Sequence, residues 1–143
     1  MKKERLARYI AKLELLDERL GDVEEWAFGL SFREFEKDKK TKLATYKAFQ
    51  EAVEACADIC AMMLKDSRVL VKDDYANIDM LVKKKIIPWK LGKALKEANG
   101  LRNRLVHEYN DISPNIVFES IKALVSELRS FHKGVKRWLS SQN

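Results

Sequence analysis

Three stretches of the chain repeat apolar residues in alternating steps of three and four, each for roughly five to seven helical turns. The first reads Leu6, Tyr9, Leu13, Leu16, Leu20, Val23, Ala27; the second reads Tyr46, Phe49, Val53, Cys56, Cys60, Met63. The third reads Val117, Ile121, Leu124, Leu128, Phe131, Val135, Trp138. A seam of this period lies along one side of an α-helix, and Ile10 and Val125 widen two of the stripes. Helices with such seams cover them by packing side by side at small crossing angles. The pattern therefore predicts an all-α fold, an antiparallel up-and-down bundle of three long helices plus short ones. Five glycines and two prolines in 143 residues supply too few tight turns for a sandwich or barrel. Residues 1–143 read as one domain, with no internal repeat and no low-complexity linker.

Local signals punctuate the seams. Gly29 is expected to close the first helix, and Ser31-Phe32-Arg33-Glu34 forms a capping box that opens a short one. Thr41 is the expected cap of the second long helix, and Lys65 to Asp74 reads as a connector. Asp74 then caps a helix from Tyr75 to Lys85. Pro88 opens another short helix that Asn99-Gly100 is expected to end, and Ser113-Pro114 starts the last long one. Cys56 and Cys60 share one helical face among apolar neighbours, which suits core thiols in a reducing compartment and gives neither a disulfide framework nor zinc spacing. No run of 18 apolar residues exists, and Lys12, Glu14, Asp17, Glu18 and Arg19 interrupt any signal-peptide core. A cytoplasmic protein with no membrane partner is expected.

Polar chemistry crowds one place, Leu101 to Asn110, between Gly100 and Ser113. Arg102, Asn103, His107 and Tyr109 there form either a site or a capped, solvated helix end. His132 reads as a surface residue of the last helix, and Trp26, Trp89 and Trp138 read as helix-end packing.

The string Arg102-Asn103-x3-His107-x-Tyr109 resembles the R-N-x3-H-x-Y signature of the HEPN superfamily, in its HepT-like toxin branch. The order of segments agrees: a helix pair before the motif, the Tyr75-to-Ile87 lead-in, and a long helix after it. The chain departs from many relatives at Asp73-Asp74, where they carry a Pro-x-Ser type turn, and no motif residue is touched by that departure. The resemblance implies an endoribonuclease toxin with Arg102 and His107 as catalytic pair. It also implies a partner, an MNT-type nucleotidyltransferase antitoxin, which transfers AMP to Tyr109.

The residues carry that chemistry on their own terms. Cleaving RNA without a metal requires a base for the 2′-hydroxyl, an acid for the leaving 5′-oxygen and positive charge at the phosphorane. Histidine can give or take a proton near neutral pH, and arginine holds phosphate through two parallel hydrogen bonds. Asn103 either orients His107 or caps the helix. No carboxylate cluster, Cys/His set or glycine-rich phosphate loop appears, so no metal and no cofactor are expected. On one helix Asn103 and His107 share a face, whereas Arg102 and His107 point about 140° apart. With a single histidine in the motif, a homodimer that pairs two such helices would complete the cleft.

Charge follows the motif. The chain carries +6 overall, yet Lys83, Lys84, Lys85, Lys90, Lys93, Lys96, Arg102 and Arg104 face only Glu97 between positions 83 and 104. The excess thus belongs to the run entering the motif. Lys83, Lys84, Lys85, Lys90, Lys93, Lys96 and Arg104 are candidate RNA contacts, or else the docking face for an acidic partner. Two other functions stay open: a non-catalytic HEPN module that binds and regulates a nucleotidyltransferase, and a helical dimerisation protein with a basic surface.

Overall fold

All three seams are helical, and a fourth long helix joins them. The computed structural model describes residues 1–107 and 112–142. It holds α1 (Lys3–Ala27), α2 (Phe32–Lys37), α3 (Lys39–Asp66), α4 (Asp74–Lys83), α5 (Trp89–His107) and α6 (Pro114–Ser140), with no strand among the described residues. No described helix is long and apolar enough to cross a membrane.

Cross-helix pairs fix the directions. Arg5 meets Asp66, Lys12 meets Asp58 and Arg19 meets Glu51, so α1 and α3 run antiparallel. Tyr9 stacks at an angle on Trp138 while Asp17 and Glu24 hold Arg129, so α6 also runs against α1. Asp79 pairs with Lys96, and Tyr75 packs beside Gly100, which sets α4 against α5. The seams meet in one core that includes Tyr9, Leu16, Leu20, Phe35, Phe49, Ile59, Met63, Leu81, Ile121, Leu128 and Phe131. Cys56 and Cys60 are buried free thiols in it, and burial raises both above the ordinary thiol range, Cys60 to about 12.

The fourth long helix corrects the sequence reading. Asn99-Gly100 does not end a short helix; α5 runs through it, because no glycine takes a positive φ and Ala98, Asn99, Leu101 and Leu105 are all buried. Packing on both flanks outweighs the penalty of about 1 kcal/mol for an interior glycine. Arg102, Asn103 and His107 and most of the basic run therefore share one rod.

Smaller corrections have equally local causes. The cap of α3 is Asp38, whose carboxylate accepts from the Thr41 amide at 3.1 Å and its hydroxyl at 2.7 Å. The cap of α4 is Asp73, which accepts from the Ala76 amide at 2.9 Å, leaving Asp74 as first helical residue. Helix α3 extends to Asp66, and α4 stops at Lys83. Both close in the same turn: Arg68 and Lys85 take φ near 60°, and the amides of Val69 and Ile86 reach back to Leu64 and Leu81. Leu6, the first residue of the α1 seam, and Ile10, which widened its stripe, are both exposed; the covered seam runs from Tyr9 to Ala27. The Ser31–Glu34 capping box and the Ser113-Pro114 start are present. Close approach of α4 and α5 is permitted by Gly92, where a Cβ would overlap the Val82 methyl.

Candidate active site on the fifth helix

The last turns of α5 carry Arg102, Asn103, Arg104 and His107. Their neighbours Leu101 and Leu105 point into the core, which fixes the rotation of the rod and hence the direction of every polar side chain. Arg102 lies on the inner flank, half-buried toward α3, while His107, the final helical residue, is exposed. The two side chains leave opposite sides of one helix, as their spacing implies.

Arg102 is held by two hydrogen bonds. One guanidinium nitrogen donates to Asn103 Oδ1 at 2.7 Å, and another to Glu54 Oε1 at 3.1 Å. Gln50 Nε2 donates to the same Glu54 oxygen at 3.0 Å, so a polar chain links Gln50, Glu54, Arg102 and Asn103 across α3 and α5. Burial works against ionisation of Glu54, but the bonds from Gln50 and Arg102 outweigh it and hold its carboxyl below the usual range. Arg102 Nε is buried without a partner among the described residues. The side chain of Asn103 is thus bonded to Arg102 rather than to His107. Neither Glu54 nor Gln50 stood out in the sequence, because their link to Arg102 spans 48 residues and only the packing of α3 on α5 creates it. Tyr109 lies outside the described residues.

The basic run is divided rather than continuous. Lys90, Lys93 and Arg104 line a groove of about 720 Å³ between α5 and α6, together with Glu97, Leu101, Ile116 and Glu127. Lys96 points to the other flank and pairs with Asp79 at 2.6 Å. Lys83, Lys84 and Lys85 sit exposed where α4 turns toward α5, with Lys85 beside Trp89. Trp89 is 64% exposed, contrary to its reading as packing, and Trp138 is the tryptophan that stacks on Tyr9. His132 is half-buried against α1, and burial lowers its pKa below the ordinary imidazole value. No group of three His, Cys, Asp or Glu side chains among the described residues is placed to hold a metal ion.

Comparison with known proteins gives a consistent lineage. Residues 16–135 match the family described as Ribonuclease HepT-like. A protein of Archaeoglobus fulgidus provisionally named an RNase is 33% identical over 135 residues, covering 92% of this chain and 93% of its own. The tRNA nuclease HepT of Aphanizomenon flos-aquae is 28% identical over 131 residues, 90% of this chain and 87% of that one. Among solved structures, the tri-AMPylated HEPN toxin of Shewanella oneidensis, in complex with MNT antitoxin, superposes with a TM-score of 0.84 at 20% identity. That match covers 96% of this chain and 99% of the toxin, and at such identity it shows the fold. Six helices in this order among the described residues, and a family match over most of their length, lead to one conclusion: the chain belongs to the Ribonuclease HepT-like family and has the HEPN fold.

Proposed function

We propose that this chain is an endoribonuclease toxin that cuts RNA without a metal, through Arg102 and His107 in a cleft completed by a second copy. The observation that carries the reading is the unbroken α5, which sets Arg102, Asn103, His107 and the basic rim of Lys90, Lys93 and Arg104 on one element. Family membership and the ribonuclease names of two relatives support it.

In this reading His107 takes the proton of the 2′-hydroxyl, and the 2′-oxygen attacks the adjacent phosphorus. The bond to the 5′-oxygen breaks, and that oxygen leaves with a proton from His107 of the second copy. The products are a 2′,3′-cyclic phosphate and a 5′-hydroxyl end. Arg102 binds the nonbridging oxygens, where negative charge grows in the phosphorane. Because Arg102 and His107 diverge on a single helix, the second copy supplies the facing groups.

The partner in this reading is a nucleotidyltransferase antitoxin of the MNT type. Attack of the Tyr109 hydroxyl on the α-phosphorus of ATP would release pyrophosphate and leave AMP on the oxygen. The adduct would place an anion two residues from His107 and compete for Arg102. Purified protein incubated with bulk bacterial tRNA tests the reading: cyclic-phosphate ends are expected with wild type, are lost in His107→Ala, and form at a much reduced but measurable rate in Arg102→Ala. Intact tRNA with wild type, combined with tight binding to an MNT-type nucleotidyltransferase, would instead favour a non-catalytic regulator.

A further inference from the structure

We infer that Glu54 is the positioning residue for Arg102: it fixes the guanidinium across the α3–α5 interface so that its free donors face a phosphate. The inference rests on the proposed role of Arg102 and goes beyond it, since Glu54 lies outside the motif and on another helix.

Geometry carries the argument. An arginine at the end of a helix has four side-chain torsions, and free rotation would scatter its donors. Here one nitrogen is tied to Asn103 within α5 and another to Glu54 on α3, so the plane of the guanidinium is set by two helices. Glu54 is itself steadied by Gln50, one turn earlier on the same helix. Of five guanidinium N–H groups, the two bonds leave three donors, including the Nε that is buried without a partner. Nε is shut off from solvent, so a phosphate would be met by the remaining N–H groups of the two terminal nitrogens, on a side chain that stays 28% exposed. The Glu54 carboxylate bonds from one oxygen, so its hold on Arg102 is single rather than a bidentate clamp that would consume the guanidinium.

The test uses the full chain, with bulk bacterial tRNA as probe and cyclic-phosphate ends as readout. Glu54→Gln keeps an acceptor oxygen and is expected to hold kcat within about twofold. Glu54→Ala releases Arg102 and is expected to lower kcat about 10- to 100-fold with KM changed less than about threefold, the scale of a misplaced catalytic group. In an Arg102→Ala background the same Glu54→Ala change is expected to do nothing further. Equal losses in both backgrounds would overturn the positioning role while leaving Arg102 catalytic. Full activity of Arg102→Ala alone would overturn the underlying functional reading. Should Glu54→Ala fail to fold, Gln50→Ala gives the weaker form of the same signature: a smaller kcat loss that vanishes in the Arg102→Ala background, its persistence there counting against the role.

Discussion

The hydroxyl of Tyr9, whose ring is fully buried, donates a 2.6 Å hydrogen bond to Asp66 Oδ2, joining the start of α1 to the end of α3. Arg5 binds the same carboxylate at 2.9 Å. Burial opposes the charge on Asp66, yet these two partners outweigh it and keep its pKa below the usual range. Tyr9→Phe is expected to cost about 1.5–3 kcal/mol at neutral pH, the worth of a hydrogen bond to a charged group. A depressed carboxylate contributes stability above its unfolded pKa and loses it as pH falls through the folded value. The difference between wild type and Tyr9→Phe should therefore shrink below about pH 4, as urea unfolding across acid pH would show.

Two glycines on α5 should respond in opposite directions. A Cβ at Gly92 overlaps Val82, whereas at Gly100 its nearest neighbour is the Tyr75 hydroxyl at an ordinary 3.5 Å. Gly92→Ala is expected to destabilise by about 1–3 kcal/mol through overpacking. Gly100→Ala should stabilise by about 0.5–1 kcal/mol, because an interior helical glycine loses more backbone freedom on folding than alanine does. Thermal melts of the two variants would show shifts of opposite sign.

His132 predicts an acid-sensitive step. Burial disfavours its charged form, with Asp17 of α1 opposing that effect and Arg129 and Lys136 of α6 reinforcing it. With the folded pKa depressed, the unfolded chain binds the proton first, so stability falls as pH drops through the ordinary histidine value of about 6.5. Urea midpoints near pH 7.5 and near pH 5 should therefore differ more for wild type than for His132→Gln.

The divided basic run makes a graded prediction for RNA binding. Lys93 and Arg104 line the groove between α5 and α6, but Lys96 is engaged by Asp79. Lys93→Gln and Arg104→Gln should each flatten the slope of log affinity against log salt by about 0.7 for single-stranded RNA. Lys96→Gln should leave it unchanged. Anisotropy titrations of a labelled RNA oligonucleotide at several salt concentrations measure all three.

The proposed cleft shared by two copies would tie activity to association. Sedimentation is expected to show a dimer, and specific activity on bulk tRNA should fall on dilution into the range where that dimer dissociates. A strict monomer with full activity would remove the shared cleft.

Much of this architecture could be read from period alone, because Leu13, Leu16 and Leu20 on α1, and Ile121, Leu124 and Leu128 on α6, recur at the spacing that a covered helix face requires. The family motif, likewise, is a local string. Gly100 shows where local reading stops: Asn99-Gly100 signals a helix end, and only the covering of Ala98 and Leu101 by neighbouring helices overrides it. The same holds for Glu54, whose exposed-looking place on α3 acquires meaning from an arginine 48 residues away. The sequence offers Thr41 and Asp74 as caps where Asp38 and Asp73 serve, a shift of register that neighbouring polar residues leave undecided.

Because α5 passes through Gly100 without a break, the separation of Lys90 and Arg104 is set by helix rise, roughly 21 Å over fourteen residues. A stacked strand advances about 3.4 Å per nucleotide, so the rim spans on the order of six nucleotides. In the proposed role the rod would work as a ruler, and an RNA lying along it would bring its own phosphates into register with the rim.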